Sequence, residues 1–286
     1  MKKIALINDL SGFGRCSLTA AIPVLSVMGL QVCPLPTAIL SAQTGFAHYY
    51  YDDYTERMNR ITDEWKQMGT QFEGIYSGYL GNAGQIENML YFLENFQTED
   101  NIYLADPVMG DGGRCIKSFS AELLQTMREL TKRADIITPN LTELCLLAGE
   151  DYEELVAHSG EQDYLNRVTE VAQRLLARSD RLKTVIITGI IHHSFIGNLV
   201  VTDSEGSMNT SYYESPYNGQ SFSGTGDLFA SVVIGSLVNG RSAAEAVRKA
   251  MEFLQPTIEE ASSEKTDRNH GVYFEKYLWK LMEQDI

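Results

Sequence analysis

The sequence predicts an α/β fold with a central, mostly parallel sheet and helices on both of its faces. Short aliphatic runs alternate along the chain with segments in which apolar residues recur every three or four positions. The first pattern is typical of buried strands and the second of amphipathic helices, so their alternation indicates strand–helix–strand units. No repeat, low-complexity tract or change of composition marks a linker. A single domain over residues 1–286 is therefore expected.

The predicted strands are short runs of aliphatic and β-branched residues that end in polar or glycine-rich turns. They lie at residues 2–8, 30–36, within 72–80, near 101–105, at the start of 134–149 and at 184–189. A hairpin over residues 195–213 follows, with its turn at Ser204-Glu205-Gly206. Sheets of this kind bind ligands beyond the carboxyl ends of their strands, so the residues that follow each strand carry the functional information.

The predicted helices are either apolar on one face or apolar throughout where they are buried. They lie at residues 17–29, near 54–68, at 83–96, near 119–132, at the end of 134–149, near 164–178, over the apolar run 228–238, after residue 242 and at 272–284. Asn239-Gly240 ends the helix of the 228–238 run, since glycine accepts the left-handed conformation that closes many helices. Ser242 and Glu245 have the spacing of a capping box.

Composition and charge narrow the class of protein. The formal net charge of -15 argues against a nucleic-acid partner or an anionic membrane surface, because both require a basic face. The four cysteines are widely spaced and form no C-x-x-C pair, which fits free thiols in a reducing compartment. No stretch approaches the length of a membrane span, and the first apolar run stops at Asn8 and Asp9, too early for a signal peptide. A cytoplasmic protein is expected.

The turn after the first strand resembles a dinucleotide-binding fingerprint only in part. Gly12 and Gly14 match the first two glycines of G-x-G-x-x-G, but the third position is Ser17. No acidic residue occurs between Gly14 and Asp52 to bind a ribose. A Rossmann dehydrogenase is therefore disfavoured, and the chain contains no G-x-x-x-x-G-K-[ST] that would mark a P-loop.

Two further turns carry carboxylates that could either bind a metal ion or serve only a structural role. Asp106 and Asp111 flank a glycine-rich turn, which suits a Mg²⁺–phosphate site or simply a solvated loop. Asn140 and Glu143 are spaced as a helix cap and its partner. The functional alternative gives Glu143 a role with metal-bound water at the same edge of the sheet as Asp111.

The stretch SFSGTGDLFA places a carboxylate in the first turn of a buried helix. Asp227 is either a cap or a catalyst. Gly224 to Asp227 present consecutive backbone N–H groups at the positive end of the helix, which is a ready anion site. A cap does not require glycine on both sides of Thr225, so the catalytic interpretation is favoured, with Asp227 as a base for phosphoryl transfer. The helix N-terminus should keep Asp227 ionised at neutral pH and only weakly basic.

Five motifs together resemble pyridoxal kinases of the ribokinase-like superfamily: SGTGDLFA, SGYLG (77–81), DPVMGD (106–111), IITPN (136–140) with Glu143, and LSAQTGFAH (40–48). The resemblance runs in order from residue 4 to about residue 255. It implies a ribokinase-like fold that assembles as a homodimer. It also implies transfer of the γ-phosphoryl of ATP, with Mg²⁺, to the 5′-hydroxymethyl of pyridoxal, pyridoxine or pyridoxamine in vitamin B6 salvage to pyridoxal 5′-phosphate.

The resemblance also implies a role for each matching residue. Asp227 is the base, Gly224 and Gly226 flank the anion hole, and Thr225 belongs to the same catalytic motif. The residues that match positions near the pyridine ring are Asp9, Thr44, Gly45 and Tyr79. The residues that match nucleotide positions are Asp111, Thr138, Asn140, Glu143 and Thr188, of which Asp111 and Glu143 are also metal candidates.

Asp9 stands where pyridoxal kinases usually carry a serine that contacts the ring. The surrounding NDLSG is closer to the S-D-x-S-G turn of hydroxymethylpyrimidine kinases, a sister branch that is the alternative activity. A non-catalytic protein that binds pyridoxal phosphate is a further alternative, against which the intact Gly224–Asp227 motif argues. We expect Asp9 to tune substrate choice. Cys115, which follows a glycine-rich turn, either packs around Ile116 or meets the aldehyde of pyridoxal as a hemithioacetal.

Overall fold

The structure, a computed structural model, describes residues 1–204 and 206–282, so Glu205 of the predicted hairpin turn and the last residues of the predicted C-terminal helix lie outside the described residues. By its contacts the chain divides into two compact units. Unit 1 comprises Met1–Ile102 and Gln220–Ile286, and unit 2 comprises Tyr103–Gly219. The single kinase domain predicted over residues 1–286 stays a prediction.

Unit 1 contains a parallel group of three strands with a short antiparallel edge. β1 (Lys3–Ser11) pairs in parallel with β2 (Gln31–Leu40) and with β4 (Gly74–Ser77), while β3 (Tyr51–Asp53) pairs antiparallel to β2. The helices of this unit are α1 (Ser17–Val27), α2 (Thr55–Gln67), α3 (Ala83–Phe96), α8 (Thr225–Val238) and α9 (Ala243–Ser263). α8 packs against α1, α9 and β4, which explains why it is apolar throughout.

Unit 2 combines parallel strands with an antiparallel hairpin. β5 (Ile102–Ala105), whose first residue belongs to unit 1, pairs in parallel with β8 (Ile136–Ile137), which pairs in parallel with β9 (Thr184–His192). β10 (Phe195–Ser204) is antiparallel to β9 and to β11 (Ser207–Pro216). The helices are α4 (Ala121–Thr131), α5 (Leu141–Ala148), α6 (Tyr152–Ala157) and α7 (Tyr164–Leu176).

Most predicted elements are present, and the differences have local causes. The capping box at Ser242 and Glu245 is confirmed. The chain from Phe274 to Leu281, predicted as part of an α-helix, forms a 3₁₀ helix, and a shorter one spans Arg268–His270. The predicted glycine-rich loop holds a hairpin of two-residue strands, β6 (Gly110–Asp111) and β7 (Arg114–Cys115), which are too short to show a period. Among the described residues, no helix is both long and apolar enough to cross a bilayer.

Candidate active site

The candidate anion site is built at the N-terminus of α8. Gly224 is the N-cap residue and has φ +85°, and a Cβ there would collide with the backbone carbonyl oxygen of Arg15. Glycine is therefore required by both conformation and space. Thr225 Oγ1 donates to the carbonyl of Phe222 at 3.0 Å, while nothing lies within 4 Å of a Cβ placed on Gly226. The first N–H groups of α8 have no intrahelical partner, so they form a positive, open end.

Asp227 does not cap its helix. The N-cap residue of α8 is Gly224, which has no side chain that could make a cap hydrogen bond. The half-buried Asp227 instead accepts at Oδ1 from Asn8 Nδ2 at 3.0 Å, and it also accepts from the backbone N–H of Ser17. The carboxylate is thus held by two donors from β1 and α1, a tertiary arrangement that capping does not need.

The pKa of Asp227 is raised from 3.8 to about 6, mainly by burial. The nearby charge of Asp9 contributes to this rise, while the donors Ser17 and Asn8 partly oppose it. The expectation of a weakly basic carboxylate is therefore wrong, because desolvation outweighs the helix N-terminus. At neutral pH the group is still mostly ionised, as predicted, but it is a better proton acceptor than an ordinary aspartate.

Asp9 lies in a buried hydroxyl network. Its Oδ2 accepts from Ser11 Oγ at 2.7 Å and its Oδ1 accepts from Ser17 Oγ at 2.6 Å. Ser17, at the third position of the partial glycine fingerprint, has φ +52°, which a non-glycine residue adopts only when its surroundings hold it. Asp9 therefore stabilises the turn that aims the Ser17 N–H at Asp227.

Replacing Asp9 by serine should have two effects. The Ser11 and Ser17 hydroxyls lose their common acceptor, which should lower the free energy of unfolding by about 1–3 kcal/mol. If Asp9 also meets the substrate ring, the ratio of kcat/KM for pyridoxal to kcat/KM for hydroxymethylpyrimidine should change. Both substrates are assayed beside thermal melts. A lower melting temperature with an unchanged ratio would limit Asp9 to its structural role.

Apart from Asp9 on β1, the residues predicted near the pyridine ring lie on two segments of unit 1. Tyr79 follows β4, and its backbone N–H donates to Asn8 Oδ1 at 2.9 Å. Its hydroxyl is hydrogen-bonded to Tyr51. Thr44 and Gly45 are exposed on a loop.

A network around Asn269 holds the loop that carries Thr44 and Gly45. Asn269 Nδ2 donates to the carbonyl of Gly45 at 3.1 Å, and its Oδ1 accepts from Gln43 Nε2 at 3.2 Å. A Cβ on Gly45 would collide with the Asn269 side chain. The C-terminal segment near Asn269 therefore fixes this loop, a role that the sequence pattern did not indicate.

In unit 2, Asn140 and Glu143 form the capping box of α5. Asn140 Oδ1 accepts from the N–H of Glu143 at 3.0 Å, and Glu143 Oε2 accepts from the N–H of Asn140 at 2.9 Å. Glu143 Oε1 also accepts from the N–H of Met109 at 3.1 Å. The capping interpretation is thus confirmed, and the same side chain also holds the loop after β5.

The other predicted nucleotide residues gather around this cap, apart from Asp111. Thr188 N–H donates to the carbonyl of Pro139 at 2.9 Å, and Thr138 Oγ1 donates to Asp106 Oδ1 at 2.9 Å. Asp111 and Cys115 are exposed on the β6–β7 hairpin, which Asn140 anchors through a 2.8 Å bond to the carbonyl of Gly110. The Cys115 thiol is exposed and therefore accessible to an aldehyde. Its reaction with pyridoxal stays a prediction.

The acidic residues of unit 2 suit a divalent cation bound together with a phosphate. Burial and the charge of Asp106 raise the pKa of Glu143 well above its usual range, so these two carboxyl groups lie close together in a poorly solvated place. Among residues 1–204 and 206–282, no three His, Cys, Asp or Glu side chains form a metal-binding group. Mg²⁺ is often held by one or two carboxylates and completed by substrate phosphates and water, and this pair fits that pattern.

Sequence reasoning missed Asn8, Ser17 and the pairing of Asp106 with Glu143. Asn8 had one usable signal, since it is a polar residue directly after the apolar run of β1. Asp106 follows the apolar run of β5 in the same way and was expected at a Mg²⁺–phosphate site, but its pairing with Glu143 depends on contacts between residues distant in sequence, as does the role of Ser17.

The chain is similar to known proteins over most of its length. The sequence profile of the phosphomethylpyrimidine kinase family matches residues 17–273. The chain belongs to this family. Curated relatives include "Pyridoxal kinase PdxY" of Histophilus somni (strain 2336), 26% identical over 96% of this chain and 92% of that protein. The protein of the same name in Deinococcus radiodurans is 27% identical over 90% of this chain and 86% of its own length.

Solved structures confirm the fold class. A candidate phosphomethylpyrimidine kinase from Bacteroides thetaiotaomicron, crystallised in an orthorhombic form with pyridoxal, is 38% identical, with a TM-score of 0.90 over 100% of this chain and 97% of that one. Pyridoxal kinase from Lactobacillus plantarum is 26% identical, with a TM-score of 0.86 over 98% and 96% of the two chains. The ribokinase-like fold and the resemblance to pyridoxal kinases are therefore confirmed.

Proposed function

We propose that this protein transfers the γ-phosphoryl group of ATP to the 5′-hydroxymethyl group of a vitamin B6 vitamer. The observation that carries the proposal is the Asp227 carboxylate, held by Asn8 and Ser17 beside the open N-terminus of α8. Phosphoryl transfer needs a proton acceptor for the attacking hydroxyl and donors for the charge on the moving group. Asp227 supplies the first, and the N–H groups of Thr225 and Gly226 supply the second.

In the proposed reaction the substrate hydroxyl oxygen forms a bond to the γ-phosphorus of ATP. The bond from that phosphorus to the β–γ bridging oxygen breaks, and ADP leaves with its electron pair. The hydroxyl proton passes to Asp227. A pKa of about 6 lets this carboxylate accept the proton without being occupied by one beforehand at neutral pH.

The residues of unit 2 have the proposed role of binding the ATP phosphates and Mg²⁺. Asp106 and Glu143, with Asp111 on the hairpin, are the candidate oxygen ligands. When bound, Mg²⁺ would offset the charge of the phosphates and the repulsion between the two buried carboxyl groups. Thr138, Asn140 and Thr188 are the proposed nucleotide contacts. The capping box keeps Glu143 in one orientation, because both of its oxygens accept backbone N–H groups.

The acceptor is proposed to be a B6 vitamer and not hydroxymethylpyrimidine. Two observations support this choice: the curated relatives reported above are named pyridoxal kinases, and the Bacteroides relative was crystallised with pyridoxal. ADP release should be measured with pyridoxal, pyridoxine, pyridoxamine, hydroxymethylpyrimidine and no acceptor. The highest kcat/KM is expected for one of the three vitamers. A preference for the pyrimidine would establish the alternative, and no acceptor-dependent ADP release would leave a non-catalytic binding protein.

The activity should depend on pH through Asp227. The base must be deprotonated, and its pKa is raised in the folded protein, so kcat/KM should fall as the pH drops through about 6. The profile should be recorded between pH 5 and pH 8 with a substrate whose own ionisation is known. If kcat/KM falls only near pH 4, the reaction does not depend on this carboxylate.

We also propose a homodimer in the cytoplasm that supplies pyridoxal 5′-phosphate by vitamin salvage, as the resemblance implies. Sedimentation velocity tests the homodimer directly, since a chain of 32.0 kDa should sediment as a species of twice that mass.

A further inference from the structure

Asn8 is a completely buried amide in the second half of β1, and it makes three hydrogen bonds. Its Nδ2 donates to Asp227 Oδ1 at 3.0 Å. Its Oδ1 accepts from the backbone N–H groups of Asp9 and Tyr79, each at 2.9 Å. One side chain therefore connects β1, the start of the segment after β4, and the candidate base.

The chemistry of these partners fixes which end of the amide faces the carboxylate. The N–H groups of Asp9 and Tyr79 can only donate, so the atom facing them must be the amide oxygen. The amide nitrogen then faces Asp227, and it can only donate. Asn8 thus favours the ionised form of Asp227, whose oxygen is the better acceptor.

A glycine next to Asn8, Gly78, leaves space for the Asn8 side-chain amide. Gly78, directly before Tyr79, has its N–H bonded to the carbonyl of Ile7 at 2.9 Å. A Cβ on Gly78 would collide with the side chain of Asn8. Glycine at this position lets the backbone pass close enough for the Tyr79 N–H to reach Asn8 Oδ1.

We infer that Asn8 is a positioning residue for phosphoryl transfer: it orients the Asp227 carboxylate and ties it to the backbone of Tyr79 at the proposed vitamer site. The inference rests on the proposed function, because it assigns Asn8 a task in that reaction. It extends that function by making the position of the base depend on the segment that should contact the ring.

The groups around Asp227 determine what a change at Asn8 does. From β1 the Asp9 carboxyl faces it, and from the start of α1 the Cys16 thiol and the Ser17 N–H face it. Burial and the two aspartates raise the pKa of the Cys16 thiol, so this group is neutral over the working range. Loss of the Asn8 donor should therefore raise the pKa of Asp227 above about 6.

The most informative variant is Asn8→Asp, which keeps an oxygen for the Asp9 and Tyr79 N–H groups but places a second carboxyl group beside Asp227. Two carboxylates at this distance cannot both ionise easily. The pKa seen in the acidic limb of the kcat profile should move up by about one pH unit or more, so kcat at pH 7 should fall about twofold or more and should recover towards pH 9. KM for ATP should change little.

Asn101→Asp is the matched control, because Asn101 is also buried in unit 1 and also bonds to backbone through both ends of its amide. This variant should lower the melting temperature without moving the acidic limb. If Asn8→Asp does not fold, Asn8→Ser takes its place, and it should show the same direction of pH shift with a smaller amplitude.

An NMR titration of the Asp227 carboxyl carbon separates this inference from the proposed function, since it needs no activity. A higher pKa of Asp227 in the Asn8 variants supports the positioning role even if no vitamer is phosphorylated. An acidic limb and an Asp227 pKa equal to those of the wild type, with only the melting temperature lowered, would overturn it.

Discussion

Asp227→Asn should lower kcat by about 10²- to 10⁴-fold while the protein remains folded. The amide oxygen can still accept from Asn8 Nδ2 or from the Ser17 N–H, so the local arrangement is largely kept. The variant cannot accept the hydroxyl proton. KM values for ATP and for the vitamer should change by only a fewfold, because the charges and donors that bind the phosphates are unaltered.

The direction in which Asp227→Asn changes the stability of the fold follows from the pKa of Asp227. The pKa of Asp227 is raised from 3.8 to about 6 in the folded protein, so the folded state binds the proton more tightly than the unfolded state does. The charged carboxylate therefore destabilises the fold above pH 6, and this effect fades between pH 6 and pH 4. At pH 7.5 the melting temperature of Asp227→Asn should equal or exceed that of the wild type. A well-folded variant with near-normal kcat would exclude Asp227 as the base.

Gly224→Ala should have the second largest effect, on both folding and activity. The residue has φ +85°, and the added methyl group would collide with the carbonyl of Arg15. The strained conformation and the overlap together should lower the free energy of unfolding by about 2–5 kcal/mol. In the fraction that folds, kcat should fall about tenfold or more, because displacement of this turn moves the N–H groups of α8 that form the candidate anion site.

Gly226→Ala is the matched control for this change. The same methyl group added there meets nothing within 4 Å, and the backbone of Gly226 is not in the left-handed region. Urea unfolding should give Gly226→Ala a stability equal to the wild type or higher by up to about 1 kcal/mol. Equal stabilities for the two alanine variants would contradict the requirement for glycine at residue 224.

Local sequence patterns were sufficient to predict the elements whose apolar periodicity extends over many residues. The helix predicted at residues 83–96 is present as α3 with the same ends, because its apolar positions repeat and Asn82 caps it. β6 and β7 were missed because two-residue strands have no period. The C-terminal 3₁₀ helix was predicted as α because apolar spacing alone does not distinguish the two helix types over so short a segment.

In the candidate site too, features that depend on nearby residues could be predicted and those that depend on distant residues could not. The glycines of the α8 N-terminus and the cap at Asn140 could be predicted, since each depends on neighbours within a few residues. The bond from Asn8 to Asp227 could not, because 219 residues separate the two in sequence. The raised pKa of Asp227 was missed for the same reason: burial and the nearness of Asp9 are tertiary properties.

Transfer of label from γ-³²P-ATP to pyridoxal at pH 7.5 tests the central claim most directly. The product should be separated by chromatography and compared with authentic pyridoxal 5′-phosphate. Wild-type protein should convert pyridoxal to labelled pyridoxal 5′-phosphate, and Asp227→Asn at equal concentration should do so at least about 10²-fold more slowly. No labelled product from the wild type, or equal rates from the two proteins, would contradict a B6 vitamer kinase with Asp227 as its base.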